Sequence, residues 1–155
     1  NEQLPLLFTK NTLSTKELLL YISSLHSILS FNHTLHTSNS FKNTYTTLKD
    51  RTFIGQLKGE NKIKLYYPSQ RSFLYTCKTK SIHDGFLASS ETEMIKKTDE
   101  YPLYNKTKYI LIKLKPGNFI YIPYLWSFKI ENVTNNTIIS SSNTIVSKFL
   151  QWITV

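Results

Sequence analysis

The chain has 155 residues, 40% of them hydrophobic, and a formal net charge of +9. This length suits one domain with a real core, and the hydrophobic content excludes a disordered chain. Ten Tyr and nine Phe, with Ala88 as the only alanine, favour pleated strands over a helical bundle.

The charge comes from 17 Lys and 2 Arg set against 10 acidic residues. A basic surface can meet nucleic acid, an acidic protein or anionic lipid. Specific recognition of phosphates and bases usually relies on Arg, which is nearly absent, so nucleic-acid binding has weak support. Abundant Lys, Asn, Ile, Tyr and Phe with scarce Ala, Gly and Arg is typical of an AT-rich genome, and we interpret the charge as this coding bias.

Further features of the sequence exclude other classes. Cys77 is the only cysteine, so neither a disulfide within the chain nor a Cys-based zinc site is expected. No stretch reaches the roughly 18 to 20 apolar residues of a membrane span. Because the chain begins at Asn1 rather than at Met, the sequence leaves open a preceding signal, anchor or further domain.

The first predicted element is a helix over residues 14–29. Ser14 and Glu17 form a capping box, S-x-x-E, which satisfies backbone N–H groups at a helix start. The apolar residues that follow fall on one face at helical spacing, namely Leu18, Ile22, Leu25 and Leu29. We therefore expect one amphipathic helix laid against a sheet. Residues 32–47, rich in Thr, Ser, Asn and His, predict a loop or an irregular strand.

From residue 52 onward the pattern is that of strands. Segments 52–57 and 63–67 flank a turn of hairpin length that contains Gly59, and Pro68 ends the second segment. A long polar connection follows, and segment 109–114 then alternates between two faces.

A strong turn at Pro116 and Gly117 is predicted to connect two adjacent antiparallel strands. In the strand after it, Phe119 and Tyr121 should lie on one face, with Ile120 and Ile122 on the other. Shorter strands are expected over 126–130 and 137–140, while 144–153 fits either a strand or a helix. Several short strands with regular turn signals, plus one helix, predict a sandwich or barrel.

Two segments carry a resemblance to a known family. The first, 51–68, fits a strand–turn–strand pattern at Phe53, Gln56, Gly59, Leu65 and Pro68. The second, 101–126, fits a "PGD, strand, IP, two residues, W" signature at Pro116, Gly117, Ile122, Pro123 and Trp126. In order and spacing these segments resemble the JmjC-type cupin oxygenases over residues 50–140.

The resemblance implies a double-stranded β-helix, a jelly roll whose usual chemistry uses Fe(II), 2-oxoglutarate and O₂. Iron is held there by a His-x-Asp/Glu…His facial triad. The triad positions fall on Thr46, Leu48 and Phe128, and the position of the lysine that often holds the cosubstrate falls on Asn61. Leucine and phenylalanine cannot coordinate iron, and a threonine hydroxyl is a poor substitute for imidazole. The resemblance thus implies a member with no metal, no cofactor and no catalytic residues.

The same alignment predicts where these side chains lie. Phe128 should point into the barrel on the same face as Trp126, with Leu48 in the same cluster and Thr46 at its edge. A retained oxygenase with displaced ligands is the alternative, in which histidines such as His33 and His36 replace the lost ones near Asp50.

The resulting hypothesis is a single mainly β domain over 1–155, with a helical and irregular lead-in at 1–49 and a jelly-roll core at 50–155. We expect a non-catalytic cupin-like domain with a structural or interaction role and a protein partner. The AT-biased composition and degenerate signature suggest a minor capsid or virion-associated protein of a large DNA virus. A basic module for nucleic acid or anionic surfaces is the third hypothesis.

Overall fold

The computed structural model describes residues 6–9, 30–76, 82–83, 85–132 and 136–144, and the strands within these ranges form two antiparallel sheets. The five-stranded sheet has the order β1-β9-β4-β11-β2, with β1 Leu6–Thr9, β2 Ser30–Thr37, β4 Arg51–Gln56, β9 Asn118–Ile122 and β11 Thr137–Thr144. The six-stranded sheet has the order β6-β7-β3-β10-β5-β8, with β3 Thr44–Thr47, β5 Asn61–Tyr66, β6 Ile82–His83, β7 Phe86–Ser89, β8 Ile110–Leu114 and β10 Ser127–Ile130.

The connectivity is that of a jelly roll. From β2 to β5, and again from β8 to β11, each strand lies in the opposite sheet from the strand before it. Alternation within each strand then turns apolar residues toward the space between the sheets. Ile54, Ile120 and Ile139 come from one sheet and Ile63 and Leu65 from the other, all of them in a single core cluster. The mainly β jelly-roll prediction is confirmed.

Two predicted hairpins are instead crossings between sheets. The loop with Gly59 (φ +66°) joins β4 of the five-stranded sheet to β5 of the six-stranded sheet. The turn at Pro116 and Gly117 likewise joins β8 to β9, so the prediction that it connects adjacent strands is wrong. A short glycine-containing loop can fold a strand back beside its neighbour or carry the chain round the end of a sandwich, and loop length alone does not distinguish these outcomes.

The turn itself has the chemistry that its residues predict. Asn118 N donates to the Lys115 carbonyl over 2.9 Å, with Pro116 and Gly117 at the two central positions. Gly117 has φ +82°, the left-handed value that the third residue of a type II turn requires. Gly117 N also donates to the Gln56 carbonyl over 3.0 Å, which holds this corner against the end of β4.

The predicted alternation of β9 is confirmed. Ile120 and Ile122 belong to the core cluster between the sheets. Phe119 and Tyr121 point away from it, with ring centroids 6.5 Å and 5.4 Å from the ring of Phe53.

The signature residues Pro123 and Trp126 form the turn that leads into β10. Trp126 N donates to the Pro123 carbonyl over 3.2 Å, and Leu125 between them has φ +66°. Leu125 N donates to the Thr47 carbonyl, and Thr47 N donates to the Trp126 carbonyl. The buried Trp126 ring packs on Tyr67 at 4.7 Å, so this turn fixes β10 beside β3.

A second small cluster lies on the outer face of the six-stranded sheet. There Tyr66, the last residue of β5, packs with Leu74, Met94 and Tyr104. These three residues come from the connection between β5 and β8. Met94 lies on a short helix, α1 Glu91–Lys96, whose first turn is capped because the Ser90 hydroxyl accepts from Glu93 N. Burial raises the pKa of Tyr66 to about 12.

The predicted helix over 14–29 and most of segment 144–153 lie outside the described residues. Within the described part of the chain, no helix is long and apolar enough to cross a membrane.

Candidate functional site

Phe128 lies between the two sheets, at the position where the resembling oxygenases carry their last iron ligand. Its side chain is 0% exposed and belongs to the core cluster together with Trp126 and Ile130. Alternation along β10 puts these three residues on one face, so the prediction that Phe128 points inward is confirmed.

Three more aromatic rings surround Phe128. Phe41 and Phe86 each have ring centroids 5.9 Å from that of Phe128, and the Tyr45 centroid lies at 6.2 Å. Phe41 also contacts Tyr45 at 4.7 Å and Phe86 at 5.2 Å. We call these four residues the aromatic cluster. Its contacts are stacked, tilted and edge-to-face, and together they pack this part of the interior closely.

Two polar groups lie in or beside the aromatic cluster, the His36 ring and the Tyr45 hydroxyl. His36 on β2 meets the Phe41 ring edge-on at 5.6 Å. The Tyr45 hydroxyl donates to the Ser40 carbonyl over 3.2 Å, and burial raises the pKa of this phenol. A neutral phenol that already donates its proton is poorly suited to bind a metal as phenolate.

Thr46 does not lie at the edge of the aromatic cluster. In the pairing of β3 with β10, Tyr45 lies opposite Phe128 and Thr46 opposite Ser127. The Thr46 and Ser127 hydroxyls are 2.6 Å apart, on the face of the sheet that points away from Phe128. The expectation for Thr46 is therefore wrong, because residue pairs alternate between the two faces of a sheet and a shift of one residue reverses the face.

Leu48 is also placed differently from the prediction. It follows the end of β3, is half-buried, and is not among the residues of the core cluster that contains Phe128. Its backbone N donates to the Gly85 carbonyl over 2.8 Å. The interior is instead lined beside Tyr45 by Thr47, whose hydroxyl lies 2.8 Å from that of Thr52 on the opposite sheet.

Asn61, at the expected cosubstrate position, is 1% exposed, and its side chain is hydrogen-bonded to neighbouring groups of the protein. Its Nδ2 donates to the Asn132 carbonyl over 2.7 Å and to the Thr137 hydroxyl over 2.9 Å. Its Oδ1 accepts from Lys62 N over 2.9 Å and from Asn132 N over 3.1 Å. An amide has two donors and an acceptor oxygen with two lone pairs, so this side chain has no bonding capacity left for a ligand.

The Asn61 contacts continue into a buried polar group at the same end of the barrel. The Thr137 hydroxyl donates to Gln56 Oε1 over 2.6 Å, and Gln56 Nε2 donates to the Lys58 carbonyl. The result is a hydrogen-bonded knot of Gln56, Asn61 and Thr137 that joins the ends of β4, β5 and β11.

The residues present do not fit an iron facial triad. Among the described residues, no three His, Cys, Asp or Glu side chains come close enough together to hold a metal ion. His33 and His36 both lie in β2, which is a strand and neither the helix nor the turn that the alternative hypothesis needs. Asp50 is half-buried beyond the end of β3, where its backbone carbonyl accepts from the Tyr121 hydroxyl over 3.0 Å.

A set of lysines lies on the outer face of the six-stranded sheet. Lys62 lies directly opposite Lys113, and Lys64 lies opposite both Lys129 and Leu111. With Lys115 at the end of β8, these five lysines form what we call the basic face. Glu60 and Glu131 neutralise part of it through contacts to Lys113 at 2.6 Å and to Lys64 at 3.5 Å.

Burial and a neighbouring charge act together on Lys129 in the basic face. Burial, and then the neighbouring Lys64, hold the pKa of Lys129 below its usual value. The other described lysines, such as Lys42, Lys58 and Lys96, lie elsewhere on the chain. The lysines are therefore neither fully scattered nor all collected in one groove.

Comparison with known proteins gives the family. A family model described as a cupin-like domain matches residues 7–147. The chain belongs to the cupin-like domain family. No curated protein matches the chain. The match covers both sheets, in agreement with the resemblance drawn from the Pro116 to Trp126 signature.

Sequence reasoning missed three of the four residues of the aromatic cluster. Phe41 precedes β3, Tyr45 lies in it and Phe86 starts β7, and all three lie far in sequence from Phe128. The lysines of the basic face left a weak signal, since Lys62 and Lys64 alternate with the buried Ile63 and Leu65.

Proposed function

We propose that this chain is a non-catalytic cupin-like domain with a structural or interaction role. The observation that carries the proposal is the aromatic cluster around Phe128, which fills the interior where an oxygenase would hold its iron.

The physical argument rests on what an iron site needs. A facial triad requires three convergent polar ligands and open positions for cosubstrate and oxygen. Placing a divalent cation among buried phenyl rings would remove it from water without compensating ligands, which is very unfavourable. Tyr45 and Thr47, the residues of β3 that face the interior beside Phe128, are poor iron ligands, and the Asn61 amide is fully engaged.

The expected partner is another protein, and the expected setting is a virus particle. The Lys- and Asn-rich, Ala- and Gly-poor composition that is typical of AT-rich genomes is what suggests a large DNA virus. One fold can serve many functions, so a jelly roll need not be an enzyme. A jelly roll that holds no metal would suit a building block of a larger assembly.

Metal content and cosubstrate binding test this proposal. Full-length protein should carry no stoichiometric iron after anaerobic incubation with Fe(II) and desalting, and 2-oxoglutarate should leave its melting temperature unchanged. A ligand at a hundred times its dissociation constant would stabilise the fold by about 2.7 kcal/mol, so binding would be easy to see. Stoichiometric iron together with stabilisation by 2-oxoglutarate would instead establish an oxygenase with displaced ligands.

A further inference from the structure

The outer strand β8 and the basic face beside it form one continuous surface. We propose that β8 accepts an extended, acidic segment of a partner protein as an added strand, and that the basic face selects the acidic side chains. The inference rests on the proposed interaction role and names the surface and the chemistry of the partner.

The six-stranded sheet ends at β8, which pairs only with β5 among the described strands. Ile110 and Ile112 point toward the core cluster, yet both are only partly buried, and none of the described strands lies beyond β8 to cover them. On the outer face, Leu111 and Tyr109 are 51% and 48% exposed. An added strand would cover apolar surface on both faces of β8 and would pair with the row of its backbone groups that no described strand uses.

The charges of the basic face indicate the chemistry of that strand. Like charges directly opposite each other in a sheet are destabilising, and this face contains two such pairs, Lys62 with Lys113 and Lys64 with Lys129. Glu60 contacts Lys113 and Glu131 contacts Lys64, one lysine of each pair. Carboxylates of an added strand would relieve this repulsion, since opposite charges favour association and steer it.

The register of β8 predicts a pattern in the partner. Residues of the new strand on the outer face would lie opposite Lys113, Leu111 and Tyr109 in turn. An acidic residue therefore suits the first position, and apolar residues suit the next two, each two residues apart along the strand. The alternate residues would lie beside Ile110 and Ile112 and should be apolar.

Two other occupants fit less well. A nucleic acid would meet a face without Arg, because Arg51 lies in β4 and Arg71 lies in the connection after β5. A second copy pairing β8 with β8 would place two basic faces side by side, which adds like-charge repulsion to the lysine pairs already present.

Peptide binding tests the proposal on the full chain. The probe is a fluorescein-labelled ten-residue peptide with two Glu, spaced two residues apart to lie opposite Lys115 and Lys113, and Val at the other positions, followed by fluorescence anisotropy. Two controls are the same peptide with one central Val replaced by Pro, and a peptide with Lys in place of Glu. We expect binding by the first peptide only, weaker at high salt, with slower hydrogen exchange at the backbone amides of 110–114 when it is bound.

Charge reversal locates the site. The double variant Lys62→Glu with Lys113→Glu should lose at least tenfold in affinity. The double variant Lys42→Glu with Lys96→Glu changes the net charge equally but lies outside the basic face, and it should stay within twofold of the wild type.

Other results would overturn the proposal. Equal losses in both double variants would show attraction by net charge alone, and equal binding of the proline-containing peptide would exclude strand addition. Tighter binding of a single-stranded DNA oligonucleotide, lost in the Lys62→Glu, Lys113→Glu variant, would assign the face to nucleic acid. Concentration-dependent dimers that protect 110–114 would assign it to a second copy. Each of these leaves the non-catalytic role standing, whereas iron binding would overturn that role whatever the peptide does.

Discussion

The strands β5 and β10 present two contrasting faces, although the residues that form them alternate along the same backbone. Toward the core, Ile63, Leu65 and Phe128 pack without exposure to solvent. On the other side, Lys64 and Lys129 lie directly opposite each other, and their charges repel. The inner face is stabilised around Phe128 by packing, whereas charge repulsion on the outer face lowers stability. On the proposed function, a partner should therefore be sought on the outer face.

Removal of the Phe128 ring should have the largest effect on stability. Phe128→Ala should lower the free energy of unfolding by about 3–5 kcal/mol, because it leaves a cavity among three other rings. Denaturant unfolding measures the change, with Tyr124→Ala as the matched control, since Tyr124 is exposed and should change stability by no more than about 0.5 kcal/mol. Should Phe128→Ala fail to fold, Phe128→Leu should fold with a smaller loss. Equal stabilities of wild type and both variants would contradict a packed interior.

Disrupting the polar knot of Gln56, Asn61 and Thr137 should cause the second-largest loss of stability. Asn61→Ala should cost about 2–3 kcal/mol, because it leaves several buried donors and acceptors without partners. Asn105→Ala, at an exposed position of the connection, is the control and should be nearly neutral. A neutral Asn61→Ala would mean that the amide is available for a ligand after all.

The smallest change in stability is expected for a substitution on the basic face, and it should be a gain rather than a loss. Because the folded protein holds the pKa of Lys129 below its usual value, folding disfavours its charged form. The penalty is complete below the folded pKa and fades as the pH rises toward the unfolded value of about 10.4. Lys129→Met should therefore raise the melting temperature at pH 7, and the gain over wild type should shrink above pH 9 to 10. A gain that does not change with pH, or a loss at pH 7, would show that charge on this face does not lower stability. Lys106→Met, at an exposed position, is the control.

Local turn chemistry and strand alternation were predictable from the sequence. The turn at Pro116 and Gly117 follows from its own residues, because Gly117 supplies the positive φ that the turn needs. The inward direction of Phe128 follows from the family resemblance together with strand alternation, and the structure confirms it.

Features that depend on which strands pair were not predictable. The loops at Gly59 and at Pro116 fit a hairpin as well as a crossing, and only the long-range pairing of β4 with β9 and β11 separates the two. The face of Thr46 depends on its register with Ser127, where one residue reverses the outcome. The basic face requires β5, β8 and β10 to be neighbours, although they are distant in sequence.

One measurement tests most directly whether the interior is a packed core with no latent metal site. Phe128→His puts an imidazole at the position of the family's last ligand. Its free energy of unfolding should be measured anaerobically with and without Fe(II), and with Zn(II), beside wild type. We predict a variant that is less stable than wild type and gains nothing from either metal, because Tyr45 and Thr47 beside it are poor ligands. A metal-dependent gain of about 2.7 kcal/mol, as expected at a hundred times the dissociation constant, would contradict the account by showing that the other ligands are in place.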